Sequence, residues 1–173
     1  MPYPSSFHSL PASTLSLLSL WTAPSHRRTA FSPGGSILYV ASQFTTPGGT
    51  DSLEWRVVRF DVDAEDGSLS NESVFATPDI LKGSVGWSRF TTPAPAPAAI
   101  LDAASGMPGS IRVDPKGTVY IAVPRSVLVL SAKGELLGRI DTDHPNAGTL
   151  TLGEGYLYVG LDDRITRIPV YSL

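Results

Sequence analysis

The sequence Gly-Ser-Ile-Leu-Tyr-Val at residues 35–40 recurs twice, as Gly-Thr-Val-Tyr-Ile at 117–121 and as Gly-Tyr-Leu-Tyr-Val at 155–159. Each copy is typical of a glycine turn followed by a strand with a tyrosine at its centre. A second apolar segment follows each copy and predicts a paired strand. Tyr120 and Tyr158, in the second and third copies, are 38 residues apart. This spacing is close to the ~40–45 residues of a four-stranded propeller blade. The repeat therefore predicts an array of similar antiparallel sheets.

The segments around these motifs predict three successive groups of strands. These are 29–31, 38–41, 56–62 and 69–75, then 110–114, 118–123, 126–131 and 136–140, and finally 149–152, 156–161 and 164–170. A polar loop is predicted at 43–54. The expected fold is all-β, a partial β-propeller of about three four-stranded antiparallel blades, truncated before the last strand of the third. The apolar faces at both ends of such an arc are expected to be exposed.

Composition limits the functions to consider. The chain has 173 residues, enough for one domain with its own core. Its formal charge of −3 argues against a nucleic-acid partner. No run of about 18 apolar residues occurs, so no membrane partner is expected. Because the chain has no cysteine, disulfides, thiolate metal sites and a cysteine nucleophile are excluded.

Two segments differ from the strand array. Residues 1–24 form an extension or a weak signal-like segment with an apolar stretch at 15–21. No Lys or Arg precedes that stretch, which favours a cytoplasmic protein, although a secreted one stays open. In a secreted protein, Asn71 would be a glycosylation acceptor. Residues 76–108 are a Pro/Ala-rich insertion in a domain that otherwise spans 25–173.

An ordered set of short segments resembles the blades of the SMP-30/gluconolactonase/LRE-like family. These segments are 30–40, 59–63, 66–71, 74–76, 111–120 and 136–140, and the resemblance ends around 152–168. The resemblance implies a six-bladed propeller that hydrolyses sugar lactones. It also implies one divalent cation, Ca²⁺ or another, held in the central channel by Glu, Asn and Asp. Such a cation would polarise the lactone carbonyl and activate water.

The positions of those ligands, carried over from the resemblance, hold other residues in this chain. The Asn before the first blade motif falls on Arg27, and the Asp of a Pro-Asp-Gly motif falls on Gly109. A further Asn falls near Thr149, with Asn146 close by, and the Glu belongs to a blade absent from this sequence. We therefore assign no catalytic, cofactor-binding or metal-ligating residue. Replacing Gly109 with Asp and Arg27 with Asn is expected to improve metal affinity.

Other clusters of polar residues have simpler interpretations. The acidic segment at 61–72 lacks the glycine that a calcium loop needs at its sixth position, so it is interpreted as a hairpin turn. No Gly-x-Ser-x-Gly motif accompanies the histidines, which are interpreted as surface residues. They are His8, His26 and His144, the last of which Asp143 could orient. The repeated tyrosines are predicted to pack between sheets.

Two hypotheses follow. The first is a gluconolactonase-like, divalent-metal-dependent hydrolase of sugar lactones whose metal site is incomplete in this chain. Its partners would be a small lactone or sugar-acid substrate. The alternative is a catalytically inactive half-propeller that serves as an interaction module or is a truncated remnant. In either case the open blade faces favour self-association.

Overall fold

The computed structural model describes residues 28–45, 53–82, 106, 108–142, 144 and 147–170. These residues are almost entirely β-structure, with a single short helix, α1, at Asp79–Lys82. The strands in the first half are β1 (Arg28–Phe31), β2 (Ile37–Thr45), β3 (Leu53–Val62) and β4 (Leu69–Ala76). They are followed by β5 (Ser110–Val113), β6 (Val119–Val123), β7 (Ser126–Leu130), β8 (Leu136–Asp141), β9 (Thr149–Gly153), β10 (Tyr156–Gly160) and β11 (Ile165–Pro169).

The strands form three separate antiparallel sheets, in which each strand pairs with its neighbours in sequence. Blade 1 has the order β1-β2-β3-β4, blade 2 the order β5-β6-β7-β8, and blade 3 the order β9-β10-β11. The innermost strands touch one another, β1 against β5 and β5 against β9. This confirms the predicted all-β partial propeller, and the described part of blade 3 has three strands.

The three repeated tyrosines occupy equivalent positions. Each lies on the second strand of its blade, between a residue of the first strand and one of the third. The pairs are Ala30 and Arg59 around Tyr39, Arg112 and Val129 around Tyr120, and Thr151 and Arg167 around Tyr158. Since directly opposed residues share a face of the sheet, Tyr39 lies on the face towards blade 2, Tyr120 on the face towards blade 3, and Tyr158 on the far face of blade 3. Tyr39 and Tyr120 pack between sheets as the sequence predicts, whereas Tyr158 is half-buried and belongs to neither of these cores.

Glycine turns set the start of the second strand. In blade 2, the Gly117 amide donates to the Asp114 carbonyl at 2.9 Å, with φ of +86° at Gly117. Gly35 makes the corresponding bond to Ser32 at 2.9 Å, with φ of +78°. Residues other than glycine rarely adopt this left-handed backbone conformation. The repeated glycine is therefore a requirement of the turn.

Two apolar cores fill the spaces between the blades. Between blades 1 and 2, Tyr39, Trp55 and Val57 pack against Ile111 and Ile121, all buried. The rings of Tyr39 and Phe75 meet edge to face, with centroids 4.8 Å apart. A second core between blades 2 and 3 consists of Tyr120, Ala122, Val127, Val129, Ala147, Leu150, Leu157 and Val159. Blade 2 therefore contributes to both cores, and all ten residues of β6 and β7 are buried.

Two expectations from the sequence are corrected. The β2–β3 ladder continues through Gln43↔Trp55 to Thr45↔Leu53, so both ends of the predicted polar loop, 43–45 and 53–54, are strand. Antiparallel backbone pairing satisfies its own donors and acceptors, which lets polar residues continue a ladder. The far face of blade 1 is also not fully exposed, because Val40, Val58 and Phe60 are 3–5% exposed. Their burial removes apolar area from water, which favours folding.

Three further expectations concern the far face of blade 3, a membrane-spanning helix, and the segments at 1–24 and 76–108. The far face of blade 3 is open, with Ile165 75% exposed. The helix that the structure describes is too short to cross a membrane. The signal-like segment at 1–24 and most of the Pro/Ala-rich insertion lie outside the described residues.

Candidate functional site

A cavity of about 300 Å³ opens where the three innermost strands begin. We call it the hub cavity. Blade 1 contributes Arg28 and Thr29, blade 2 contributes 109–112, and blade 3 contributes Gly148 and Thr149. Short antiparallel meanders place the first strand of every blade innermost, so residues distant in sequence converge here.

The structure brings together two of the positions that the family resemblance selected. Gly109 and Thr149 both line the hub cavity. Arg27 and Asn146 lie outside the described residues. The sequence analysis did not select Arg28 or Arg112, which also line the cavity. Their signal in the sequence was weak, because a single arginine near a strand is common on protein surfaces.

Gly109 lies where blades 2 and 3 approach most closely. A Cβ added to Gly109 would be 2.6 Å from the Gly148 carbonyl oxygen and 2.8 Å from that of Ala147. Both distances are well inside van der Waals contact, and backbone atoms cannot move aside as a flexible side chain would. A side chain at 109 would therefore displace the backbone of blade 3, which argues against the expectation that Gly109→Asp improves metal affinity. Glycine is needed here for close approach of the backbones.

The charge of the hub cavity is positive. Arg28 and Arg112 are the charged residues among its described lining. Arg112 Nη1 donates to the Ile111 carbonyl at 2.7 Å. Within the described residues, neither arginine forms an ion pair with a carboxylate. Arg139, by contrast, donates from Nε to Asp141 Oδ1 at 2.6 Å. The cavity thus presents two guanidinium groups without a balancing anion in its described wall.

Comparison with protein families identifies the array. The profile of the SMP-30/Gluconolactonase/LRE-like region matches residues 28–160. The chain belongs to this family. The match begins at β1 and ends with β10, so it includes blades 1 and 2, the first two strands of blade 3 and the described lining of the hub cavity.

Solved structures of similar fold support the same architecture. A gluconolactonase from Xanthomonas campestris superposes with a TM-score of 0.52 at 22% identity, over 82% of this chain and 36% of its own. A luciferin-regenerating enzyme superposes with a TM-score of 0.53 at 23% identity, over 82% of this chain and 40% of its own. The present chain therefore spans about two fifths of their length or less. No protein of curated function matches the sequence.

The described residues of the hub cavity do not fit the divalent cation that the family resemblance implies. Calcium takes ~6–8 oxygen ligands, with carboxylates among them. The described wall offers the hydroxyls of Thr29, Ser110 and Thr149 and some backbone carbonyls, but no carboxylate. Two guanidinium groups add electrostatic repulsion. Within the described parts of the chain, no three His, Asp or Glu residues are grouped as a metal site would require.

A second cavity, of about 400 Å³, lies between blades 2 and 3 at the other ends of β5 and β9. Its wall includes Asp114, Lys116, Tyr120, Glu154 and Tyr156. Asp114 Oδ1 accepts hydrogen bonds from the amides of Lys116 at 2.9 Å and Thr118 at 2.8 Å. Its other oxygen, Oδ2, accepts a bond from the Tyr120 hydroxyl at 3.4 Å. Asp114 therefore organises the turn before β6.

Tyr120 is held in its neutral form. Burial, followed by the negative charge of Asp114 and their hydrogen bond, raises the pKa of Tyr120 to about 12. Burial also raises the pKa of Tyr39. General acid–base catalysis is most efficient when the pKa lies near the working pH. Tyr39 and Tyr120 are therefore packing residues, and Tyr120 additionally anchors a turn.

The acidic segment forms the hairpin turn that the sequence predicts. Asp63 Oδ1 accepts from the amides of Glu65 at 2.7 Å and Asp66 at 3.3 Å. Asp66 Oδ1 accepts from the Ser68 amide at 2.8 Å, and hydrogen bonding to Ser68 lowers the pKa of Asp66. These carboxylates bond to nearby backbone, which is the usual chemistry of aspartate in turns.

His144 is the histidine that lies within the described residues. Its Nε2 lies 4.0 Å from Asp163 Oδ1, which is too long for a hydrogen bond. Asp163 also pairs with Arg164, with 3.1 Å between Oδ2 and Nη1. The predicted partner Asp143, and the other two histidines, lie outside the described residues. His144 is half-buried beside an exposed turn and does not line the hub cavity.

Proposed function

We propose that the protein is a gluconolactonase-like hydrolase whose sugar-lactone substrate binds in the hub cavity. The observation that carries the proposal is the convergence of three inner strands of an SMP-30/gluconolactonase/LRE-like chain on one polar cavity. Fold alone does not specify a reaction, so the chemistry of the cavity has to support the assignment.

The lining suits a small polyhydroxylated ring. The hydroxyls of Thr29, Ser110 and Thr149 can each donate and accept hydrogen bonds, as sugar hydroxyls require. The guanidinium groups of Arg28 and Arg112 can donate to a carbonyl oxygen and stabilise negative charge that develops there. The described lining contains no general base. These residues thus account for binding and charge stabilisation, and activation of water needs a group from elsewhere in the protein.

A blocked cavity tests this function. Thr149 is an exposed residue that lines the hub cavity, so Thr149→Trp should fill it and abolish hydrolysis of glucono-δ-lactone above the spontaneous rate. Turnover is measured by titrating the acid released, with and without added Ca²⁺ and with a chelator. Thr151→Trp is the control, since Thr151 is exposed on the same face of β9 but does not line the cavity.

The outcome separates the two hypotheses. Turnover that survives Thr151→Trp and is lost in Thr149→Trp supports a lactone hydrolase acting at the hub. Equal activity in both variants would contradict the hub assignment. Absence of turnover by the unmodified protein under every metal condition would favour the inactive interaction module. The lack of carboxylates in the described cavity wall is the observation that keeps this second function in consideration.

A further inference from the structure

The hub cavity has the charge of an anion site in the place where the family resemblance implies a cation. We infer that it binds a polyhydroxy monocarboxylate, the ring-opened form of a sugar lactone, between Arg28 and Arg112. The choice of a sugar acid rests on the proposed function, whereas the choice of an anion rests on the cavity alone.

The two arginines reach the cavity from different blades, and each lies on the side of a different core between blades. Arg28 is paired with Ala41, which belongs to the core between blades 1 and 2. Arg112 is paired with Tyr120, which belongs to the core between blades 2 and 3. Since opposed residues share a face of the sheet, Arg28 lies on the side of the first core and Arg112 on the side of the second. The cavity at the strand starts is where both side chains contribute to one wall.

The positive charge of the cavity is not neutralised within its described wall. No carboxylate lines it, and the described residues provide no ion pair for either arginine. Arg139, a buried arginine on the outermost strand of blade 2, is by contrast paired with Asp141. Two guanidinium groups that share a cavity repel each other, and this repulsion weakens when an anion binds between them. Guanidinium groups also present planar pairs of donors that match the two oxygens of a carboxylate.

The neutral groups of the cavity favour a hydroxylated ligand over a bare anion. Ser110 is only 6% exposed and is one of the residues that line the cavity. Thr29 and Thr149 add hydroxyls from the blades on either side. A volume of about 300 Å³ is at the lower end for small-molecule sites, whose range is ~300–1,000 Å³. A six-carbon sugar acid is a ligand of this size and polarity.

Equilibrium binding to the full chain provides the test. Isothermal titration calorimetry would use gluconate as the probe, with inorganic phosphate and neutral glucose as comparison ligands. We expect one saturable gluconate site, weakened by added NaCl because the interaction is between charges. Arg28→Gln and Arg112→Gln should each weaken gluconate binding by about tenfold or more, since each removes a charge-assisted hydrogen bond.

The control variant removes the same charge elsewhere. Lys133 is exposed in the turn between β7 and β8 and does not line the hub cavity. Lys133→Gln should leave the affinity unchanged. If the more buried Arg112 variant fails to fold, the variant at Arg28, an exposed residue at the start of β1, decides the result.

Several results would overturn the inference. They are unchanged gluconate affinity in the arginine variants, equal binding of glucose and gluconate, and phosphate binding as tight as gluconate. Lactone turnover measured on the same preparations separates this inference from the proposed function. Gluconate binding without turnover would support the anion site and contradict the hydrolase. Turnover without gluconate binding would support the hydrolase and contradict the anion site.

Discussion

At the scale of single residues, Gly109 shows how a position can be constrained by what surrounds it. Its backbone is not in the left-handed region, so conformational freedom does not explain the glycine. The constraint is the neighbouring carbonyl oxygens of Ala147 and Gly148, which occupy the place of a side chain. A position that resembles a ligand aspartate in sequence is therefore a contact between blades in this protein.

A methyl group at Gly109 should measurably destabilise the fold. We expect Gly109→Ala to lower the free energy of unfolding by about 1–3 kcal/mol, as overpacking does in tight interiors. Urea denaturation followed by tryptophan fluorescence measures the change. Gly148→Ala is the matched control, because the nearest atom to its added Cβ is the Gly160 oxygen at 3.8 Å, an ordinary contact. Equal stability of the two variants would contradict the close approach of blades 2 and 3.

At the scale of elements, the turn between β5 and β6 couples a carboxylate to a buried phenol. Asp114 accepts two backbone hydrogen bonds across the turn and a third from the Tyr120 hydroxyl. The turn is thereby tied to the core between blades 2 and 3, where Tyr120 is 4% exposed. This arrangement predicts a titration that differs from that of an ordinary tyrosine.

Tyr120 should ionise near pH 12. Its pKa in the folded protein, about 12, lies above the ordinary value of 10.0. The neutral phenol therefore stabilises the fold fully below pH 10, and this contribution is lost as the pH rises towards 12. Ultraviolet difference titration of the protein and of Tyr120→Phe isolates the transition. Asp114→Asn should lower the pKa of Tyr120, because it removes a negative charge and keeps an oxygen acceptor for the turn.

The strands were predictable because their signals are local. Glycine turns and apolar alternation around Tyr39, Tyr120 and Tyr158 were sufficient to predict the strands of all three blades. The extension of β2 and β3 to Thr45↔Leu53 was not predictable, since backbone pairing there has little support from side-chain pattern. The cavity arginines were missed for another reason. Which side chains share a cavity depends on how separate blades converge, and a single sequence does not contain that distance information.

At the scale of the whole molecule, the described blades differ in how many of their faces pack against apolar side chains. Blade 2 packs against apolar side chains on both faces, whereas the far face of blade 3 is open around Ile165. That open face is partly polar, with the Arg167 guanidinium carbon 4.5 Å from the centre of the Tyr156 ring. In repeat architectures, stability depends on each unit and on its interfaces with neighbours.

Amide hydrogen exchange should therefore decrease towards blade 2. We expect the slowest exchange in β6 and β7, all of whose residues are buried, and the fastest strand exchange in β11. Mass spectrometry of deuterium uptake in peptic fragments resolves the blades. Slower exchange in β10 and β11 than in β6 and β7 would contradict this order of stability.

The unequal support of the blades has a consequence for how this sequence can diverge between lineages. A substitution in β6 or β7 disturbs two cores at once, so selection should act most strongly there. Outward positions of blade 3, such as Ile165 and Arg167, belong to none of the apolar cores among the described residues and can change with little cost. Differences between orthologues should thus accumulate at one end of the arc while the middle sheet changes slowly.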